Sequence, residues 1–207
     1  MVKETISNAD SDPKFIERSL LVTKHGFMNL ICFENEPKPN RERRSRSKIK
    51  VLLTVFFDIR GVVHYEFLPE GQTVNKEYYL GVMRYLREAI RKKRPDLWKN
   101  NSWILHLDFA PSHTALIISE FLTKKSTNVY RQAPYSPDQA PCDFFLFPRL
   151  KLPLRETIEA IKENSLRELK AIPLAAYKKC MENWMKRWHA CIAAGEEYFE
   201  GDNNKIY

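Results

Sequence analysis

Asp108 closes the apolar run Trp103-Ile104-Leu105-His106-Leu107, and Asp143 follows after thirty-four intervening residues, inside the Pro-punctuated stretch Pro141-Cys142-Asp143. Two carboxylates presented in this way on a basic chain point to a divalent-metal site that handles phosphodiesters. Magnesium takes hard oxygen ligands and keeps several waters, so a few well-aimed Asp or Glu side chains suffice to hold it. A pair of such ions activates the attacking oxygen and stabilises the leaving one. Taken singly, a strand-end Asp is ordinarily a turn former or a helix cap. The joint pattern, with Ala110-Pro111-Ser112-His113-Thr114 behind the first Asp and Tyr135-Ser136-Pro137-Asp138 ahead of the second, is far more specific than either residue.

The chain carrying these acids has 207 residues, a length that fits a single domain with a substantial core. Its hydrophobic content of 43% and its twelve Phe, nine Tyr and four Trp indicate a globular protein. A net charge of +8 favours an anionic partner, and nucleic acid is the first candidate. Cys32, Cys142, Cys180 and Cys191 show no metal-ligand spacing and read as packed, reduced thiols of an intracellular protein. Neither a signal peptide nor an apolar stretch long enough for a membrane span is expected.

Several elements must position the two acids. Leu20–Thr23 reads as a first strand, and Val51–Phe57, β-branched, aromatic or Leu throughout, reads as a buried one. Asp58-Ile59-Arg60-Gly61 turns the chain into a hairpin partner, Val62–Leu68. Asn75 suits the N-cap of a long helix with Tyr79, Val82, Leu86 and Ile90 on one face, ending before Pro95. Trp103–Leu107 is a short buried strand that delivers Asp108 to its end. A helix then opens at Ser112 or Thr114, and Asn128–Arg131 forms another strand. Residues 133–143 form a loop, and Phe144–Leu150 a short apolar helix. Two helical stripes follow, Ile158 to Ile172 and Tyr177 to Cys191, with Pro173 between them. This order predicts an α/β protein with an RNase H-like fold: a mixed five-stranded sheet, antiparallel then parallel, flanked by helices, with further helices at the C-terminus.

The motif residues also carry a family likeness. "LDFAPSHTA" around Asp108 and "PYSPDQAPCDFFLFPRLK" around Asp143, at that spacing, resemble the catalytic domain of mariner transposases. So do "DIRGVVHYEFLPEGQTVNKEYY", "RKKRPDLWKNNSWILH", "ETIEAIKENSLRELKAIP" and "CIAAGEEYFEGD". The resemblance implies a catalytic domain over residues 14–200 between tails at 1–13 and 201–207, without the helix-turn-helix units that read transposon ends. It implies a DDE/D-type endonuclease that uses Mg²⁺ or Mn²⁺ on Asp108 and Asp143, DNA as partner and a nuclear location. No small-molecule substrate is implied. The family works as dimers. Mariner domains also occur fused behind a SET methyltransferase domain, in a setting of DNA repair; no SET-like sequence is present here, so methyltransferase activity is not expected.

Four departures from the family pattern bear on activity. His25 occupies the position of the first catalytic Asp; an imidazole brings no negative charge and favours softer ions. The clamp segment that follows is shortened, which leaves the oligomeric state open. Leu107 and Phe109 replace the usual His and Asn flanking the second Asp, and the link through Leu152–Thr157 has lost residues. Asp58 is a candidate replacement acid, but it reads equally as a β-turn Asp; Glu34 and Glu36 carry no more weight. With the triad incomplete, the expectation is a DNA-binding domain whose cleavage and strand transfer are lost or much reduced. The alternatives are a non-catalytic DNA-binding or dimerisation module and a host-retained, repair-related protein.

The run Arg41, Arg43, Arg44, Arg46, Lys48 and Lys50 suits a DNA backbone or a solvated loop, and the resemblance tips it toward DNA. Arg91–Arg94 reads as a helix-dipole complement, Trp184 and Trp188 as core, and His113 as a structural hydrogen-bonder.

Overall fold

The computed structural model describes residues 17, 19–22, 26–29, 50–132, 139–150 and 157–193. His25, the basic run from Arg41 to Lys48, Glu34, Glu36 and Cys32 lie outside the described residues. Strand β3 (Lys50–Asp58) organises the sheet, and β4 (Gly61–Phe67) returns beside it as the expected hairpin. Ile59 and Arg60 make the turn, and Gly61 leaves it at φ +100, a conformation that side chains with a Cβ rarely adopt.

The opposite edge of β3 carries two short strands in succession. β1 (Ser19–Val22) pairs at Phe56 and Phe57, and β2 (Gly26–Asn29) pairs from Leu53 back to Lys50. Because β4 also pairs with Leu53 and with Phe57, both short strands must lie on the other side. The sheet therefore has six strands where five were expected, one edge position being filled twice. The two registers differ by one residue: Val22 faces Phe56, yet Gly26 faces Leu53. Beyond β1 the sheet turns parallel, through β5 (Ile104–Leu107) and β6 (Asn128–Arg131). Antiparallel strands followed by parallel ones are the RNase H-like arrangement expected from the sequence.

Alternation along β3 divides its side chains between two cores. Phe56 faces α1 (Lys76–Lys93), whose Tyr79, Val82, Met83, Leu86 and Ile90 pack there with Trp103, Leu105 and Leu107. Leu53, Val55 and Phe57 face the opposite way, toward α6 (Ile158–Ala171) and α7 (Leu174–Ala193), which supply Leu169, Tyr177, Met181, Trp184 and Trp188. Asn75 caps α1 by accepting from the Tyr78 amide at 2.7 Å, and Thr157 caps α6 in the same way at 3.2 Å. Arg91, Lys92 and Lys93 lie in the last turn of α1, where cations complement the helix dipole. Among the described residues no helix is long and apolar enough to cross a membrane.

Arg94 does something else. It ends α1 ahead of the short helix α2 (Pro95–Lys99) and turns its guanidinium onto the buried Asp58, with Nε donating to Oδ2 at 2.6 Å and Nη2 to Oδ1 at 2.8 Å. The Arg60 amide donates to the same Oδ1 at 2.8 Å. Asp58 is thus a turn residue and an ion-pair partner. Its position rules out the replacement role as well. Phe57 is level with Leu21, and Leu21 with His106. On antiparallel β3, Asp58 falls one residue below that level, while Asp108 lies two residues above it on β5. The backbones are therefore about 10 Å apart along the strands and roughly as far across them, at ~3.3 Å per residue and ~4.8 Å per strand. Two carboxylates that share a metal pair need far closer approach.

The Asp58–Arg94 pair yields a test. Asp58→Ala leaves the guanidinium buried without its counter-charge, and a stability loss of about 3–5 kcal/mol is expected in urea unfolding. A loss below ~1 kcal/mol would show the pair to be a surface-like contact.

Candidate functional site

Asp108 follows β5 directly, at the C-terminal end of the strand. His106, two residues before it, lies on the face covered by α7, where it meets the Trp184 ring edge-on at 5.0 Å and stacks on Tyr130 at 5.5 Å. Asp108 Oδ1 accepts from the Ala110 amide at 3.0 Å, closing a turn, and is hydrogen-bonded to His113 Nδ1. His113 is fully buried, its ring 4.1 Å from that of Tyr79. The structural role expected of His113 holds, with the carboxylate as its partner.

The helix expected from Ser112 or Thr114 is in fact two. α3 (Pro111–Thr114) opens at Pro111, and α4 (Leu116–Lys124) begins after Ala115, whose ψ of 142 breaks the run. Neither hydroxyl is the cap, because the first turn is organised from upstream: Pro111 presets φ, and Asp108 holds the Ala110 amide.

Asp143, expected in a loop, lies in a π-helical turn, Cys142–Leu146, that runs into α5 (Phe147–Arg149). Pro141, at φ −55, enters this turn, and Pro148, which has no N–H, prevents regular α hydrogen bonding further on. The turn is anchored from α7. Trp184 Nε1 donates to the Gln139 carbonyl at 2.8 Å, and Gln139 Nε2 donates to Cys191 Sγ at 3.0 Å. Phe145, Leu146 and Cys142 are buried beneath, while Arg187 lies over the Phe144 ring at 4.3 Å and Arg149 over Phe145 at 4.2 Å. Gln139 is thus a positioning residue that the sequence did not announce. Its only cue was its place between two prolines, ahead of the acid.

The two acids converge on one thiol. Burial pushes Cys142 well above the ordinary thiol range, and the negative charges of Asp143 and, more weakly, Asp108 push it the same way. Cys142, Cys180 and Cys191 are free and buried, as read from their spacing. Among the described residues no three Asp, Glu, His or Cys side chains come together as a metal-binding group. His25, which the sequence likeness sets at the position of the family's first acid, lies outside the described residues.

Known proteins share this architecture. The family described as "Transposase (partial DDE domain)" matches residues 22–100. Mariner Mos1 transposase of Drosophila mauritiana is 32% identical over 170 residues, covering 80% of this chain and 49% of that protein. Histone-lysine N-methyltransferase SETMAR of Homo sapiens is 26% identical over 155 residues, covering 73% of this chain and 23% of that protein. The chain thus spans about half of one relative and a quarter of the other. The crystal structure of the Mos1 catalytic domain superposes with a TM-score of 0.80 at 28% identity, over 96% of this chain and 92% of that one. The Mos1 paired-end complex with Mn gives 0.82 at 26% identity, over 96% of this chain and 61% of that one.

His106 offers a measurement on this site. Burial lowers its pKa from 6.5 to about 4, against a smaller upward pull from Asp108. The folded chain thus refuses a proton that the unfolded chain accepts near 6.5, and stability present above that pH is lost as the pH falls toward 4. The slope contributed by one such group approaches ~1.4 kcal/mol per pH unit. In chemical denaturation between these limits, His106→Leu is expected to flatten the pH dependence by that amount. An unchanged slope would mean that the imidazole is hydrated.

Proposed function

Because this chain belongs to the mariner transposase catalytic domains, we propose that it binds DNA through the acid-bearing end of its sheet and has lost most or all of the strand cleavage and transfer of its ancestry. What supports this reading is that Asp108 follows β5 and Asp143 sits in the turn tied to Trp184, a ring that itself packs on His106 of β5, while Asp58 is held by Arg94 at the other end of the sheet. Divalent ions, when bound, would supply activation of the attacking oxygen and stabilisation of the leaving one. The residues present fall short of that site. Asp108 Oδ1 already takes the Ala110 amide and the His113 ring, and no third ligand joins the two acids among the described residues. Among the described residues Mg²⁺ or Mn²⁺ would have only Asp108 and Asp143 as ligands, too few to hold a metal pair firmly.

What remains favours DNA retention. A net charge of +8 and the basic run at Arg41–Lys48 suit a phosphate backbone, to which each contact adds salt-sensitive affinity without sequence preference. The engagement of Asp108 by His113 also supports the related reading of a non-catalytic DNA-binding or dimerisation module. A nuclear location and a role beside DNA repair, without methyl transfer, are in keeping with both.

A plasmid-nicking assay in Mg²⁺ and in Mn²⁺ tests the proposal. The natural chain is expected to retain plasmid in a salt-sensitive way and to nick it no faster than background. Robust metal-dependent nicking that disappears in Asp108→Ala would overturn the inactive reading. His25→Asp, which restores a carboxylate at the first position, is expected to raise Mn²⁺-dependent nicking above the natural chain, and this gain should vanish in His25→Asp/Asp143→Ala.

A further inference from the structure

The residue after Asp108 departs from the family in a direction the proposed loss of catalysis does not explain. Phe109 is 43% exposed, directly beside a carboxylate and at the end of a strand. Scattered exposed apolar residues are common on protein surfaces. This one has a cation for company: the Arg131 guanidinium lies over its ring at 5.9 Å. Arg131 ends β6 opposite Leu107, so the parallel register brings it to the same end of the sheet as Asp108. Its Nη1 is hidden from solvent and has no hydrogen-bond partner. No carboxylate pairs with it among the described residues, although Asp108 is close by along the neighbouring strand. A buried, unsatisfied guanidinium nitrogen is costly to keep, and the charge of the half-buried side chain is left without a counter-ion among the described residues.

An exposed aromatic ring beside a guanidinium with unused hydrogen-bonding capacity is the combination by which proteins hold unpaired nucleotides. The base stacks on the ring and the phosphate meets the cation. Resting on the DNA-binding reading above, we propose that Phe109 and Arg131 form a site for a single unpaired nucleotide at the acid-bearing end of the sheet. The base lies on the solvent-facing part of the Phe109 ring, and the adjoining phosphate meets the half-buried Arg131 side chain. A continuous duplex, whose bases are stacked on one another, offers this site nothing to stack. The pair therefore makes the chain prefer DNA ends with an overhang over blunt ends.

Fluorescence anisotropy with two labelled duplexes of equal length, one blunt and one carrying a short single-stranded overhang, tests the site on the full chain. The natural chain is expected to bind the overhang duplex about tenfold more tightly, the range for one stacked base. Phe109→Ala is expected to abolish the preference while leaving blunt-end affinity unchanged, and Phe109→Trp to keep it. Arg131→Ala should reduce the salt dependence of overhang binding by about 0.7 in log–log slope, whereas Arg131→Lys should not. Equal binding of the two duplexes by the natural chain, a preference that survives Phe109→Ala, or its loss in Phe109→Trp would overturn this site and leave DNA binding standing. Failure to bind either duplex would sink both readings.

Discussion

The double-sided burial of β3 is the constraint on which the other elements depend. Its side chains alternate between a core under α1 and a core under α6 and α7, and both its edges are taken. A strand in that position tolerates no slip, because a shift of one residue would exchange the two apolar sets and misplace every partner. The register of β1 follows from β3, and that of β5 from β1. Asp108 is then delivered to the sheet end by pairing that begins far from it. Asp143 arrives by another route, through a turn held to α7 by Trp184 and Gln139. The two acids thus depend on separate supports, one on strand pairing and the other on a helix.

Features with a strong local signature were legible in the sequence. The apolar run Val51–Phe57, the 3–4 spacing of Tyr79, Val82, Leu86 and Ile90, and the Asn75 cap correspond to β3, α1 and its N-terminus. The aromatic stripe Trp184–Trp188 is core, as its spacing indicated. What escaped was non-local or dominated by proline. A π-helical turn around Asp143 arises because Pro141 and Pro148 bracket a segment that α7 pulls inward, and no window of residues 139–148 encodes the pull. The break at Ala115, where ψ is 142, has no signature in the residue type, since alanine is a strong helix former. The Asp58–Arg94 pair links residues 36 apart, each of which had a sufficient local explanation as turn former or dipole complement.

The order of residues around Asp108 shows how finely a strand sorts function. The family usually has His directly before this Asp; here Leu107 stands in that place and His106 one residue earlier. On a strand, one residue is the difference between two cores. Leu107 joins the packing under α1, while the imidazole of His106 is pressed among Tyr130 and Trp184, where burial keeps it neutral. An imidazole in that position is structural. It cannot serve as a proton carrier near neutral pH, and its burial is tolerable only because aromatic neighbours accept its faces.

Folding and chemistry place unequal demands on such a domain. Cohesion is spread over many side chains, among them Trp103, Trp184, Trp188, Phe56 and Phe57, each nearly inaccessible to solvent. Losing any one is costly but local. The chemistry of paired ions rests on a few carboxylates held close together, and such a cluster works against folding, since like charges repel and each is partly desolvated. Exchanging such an acid for a neutral side chain would relieve that repulsion. A chain freed from the demand for strand cleavage would therefore be expected to shed an acid before it sheds a tryptophan. The two cores on either side of β3 carry the demand for cohesion, and neither includes Asp108 or Asp143.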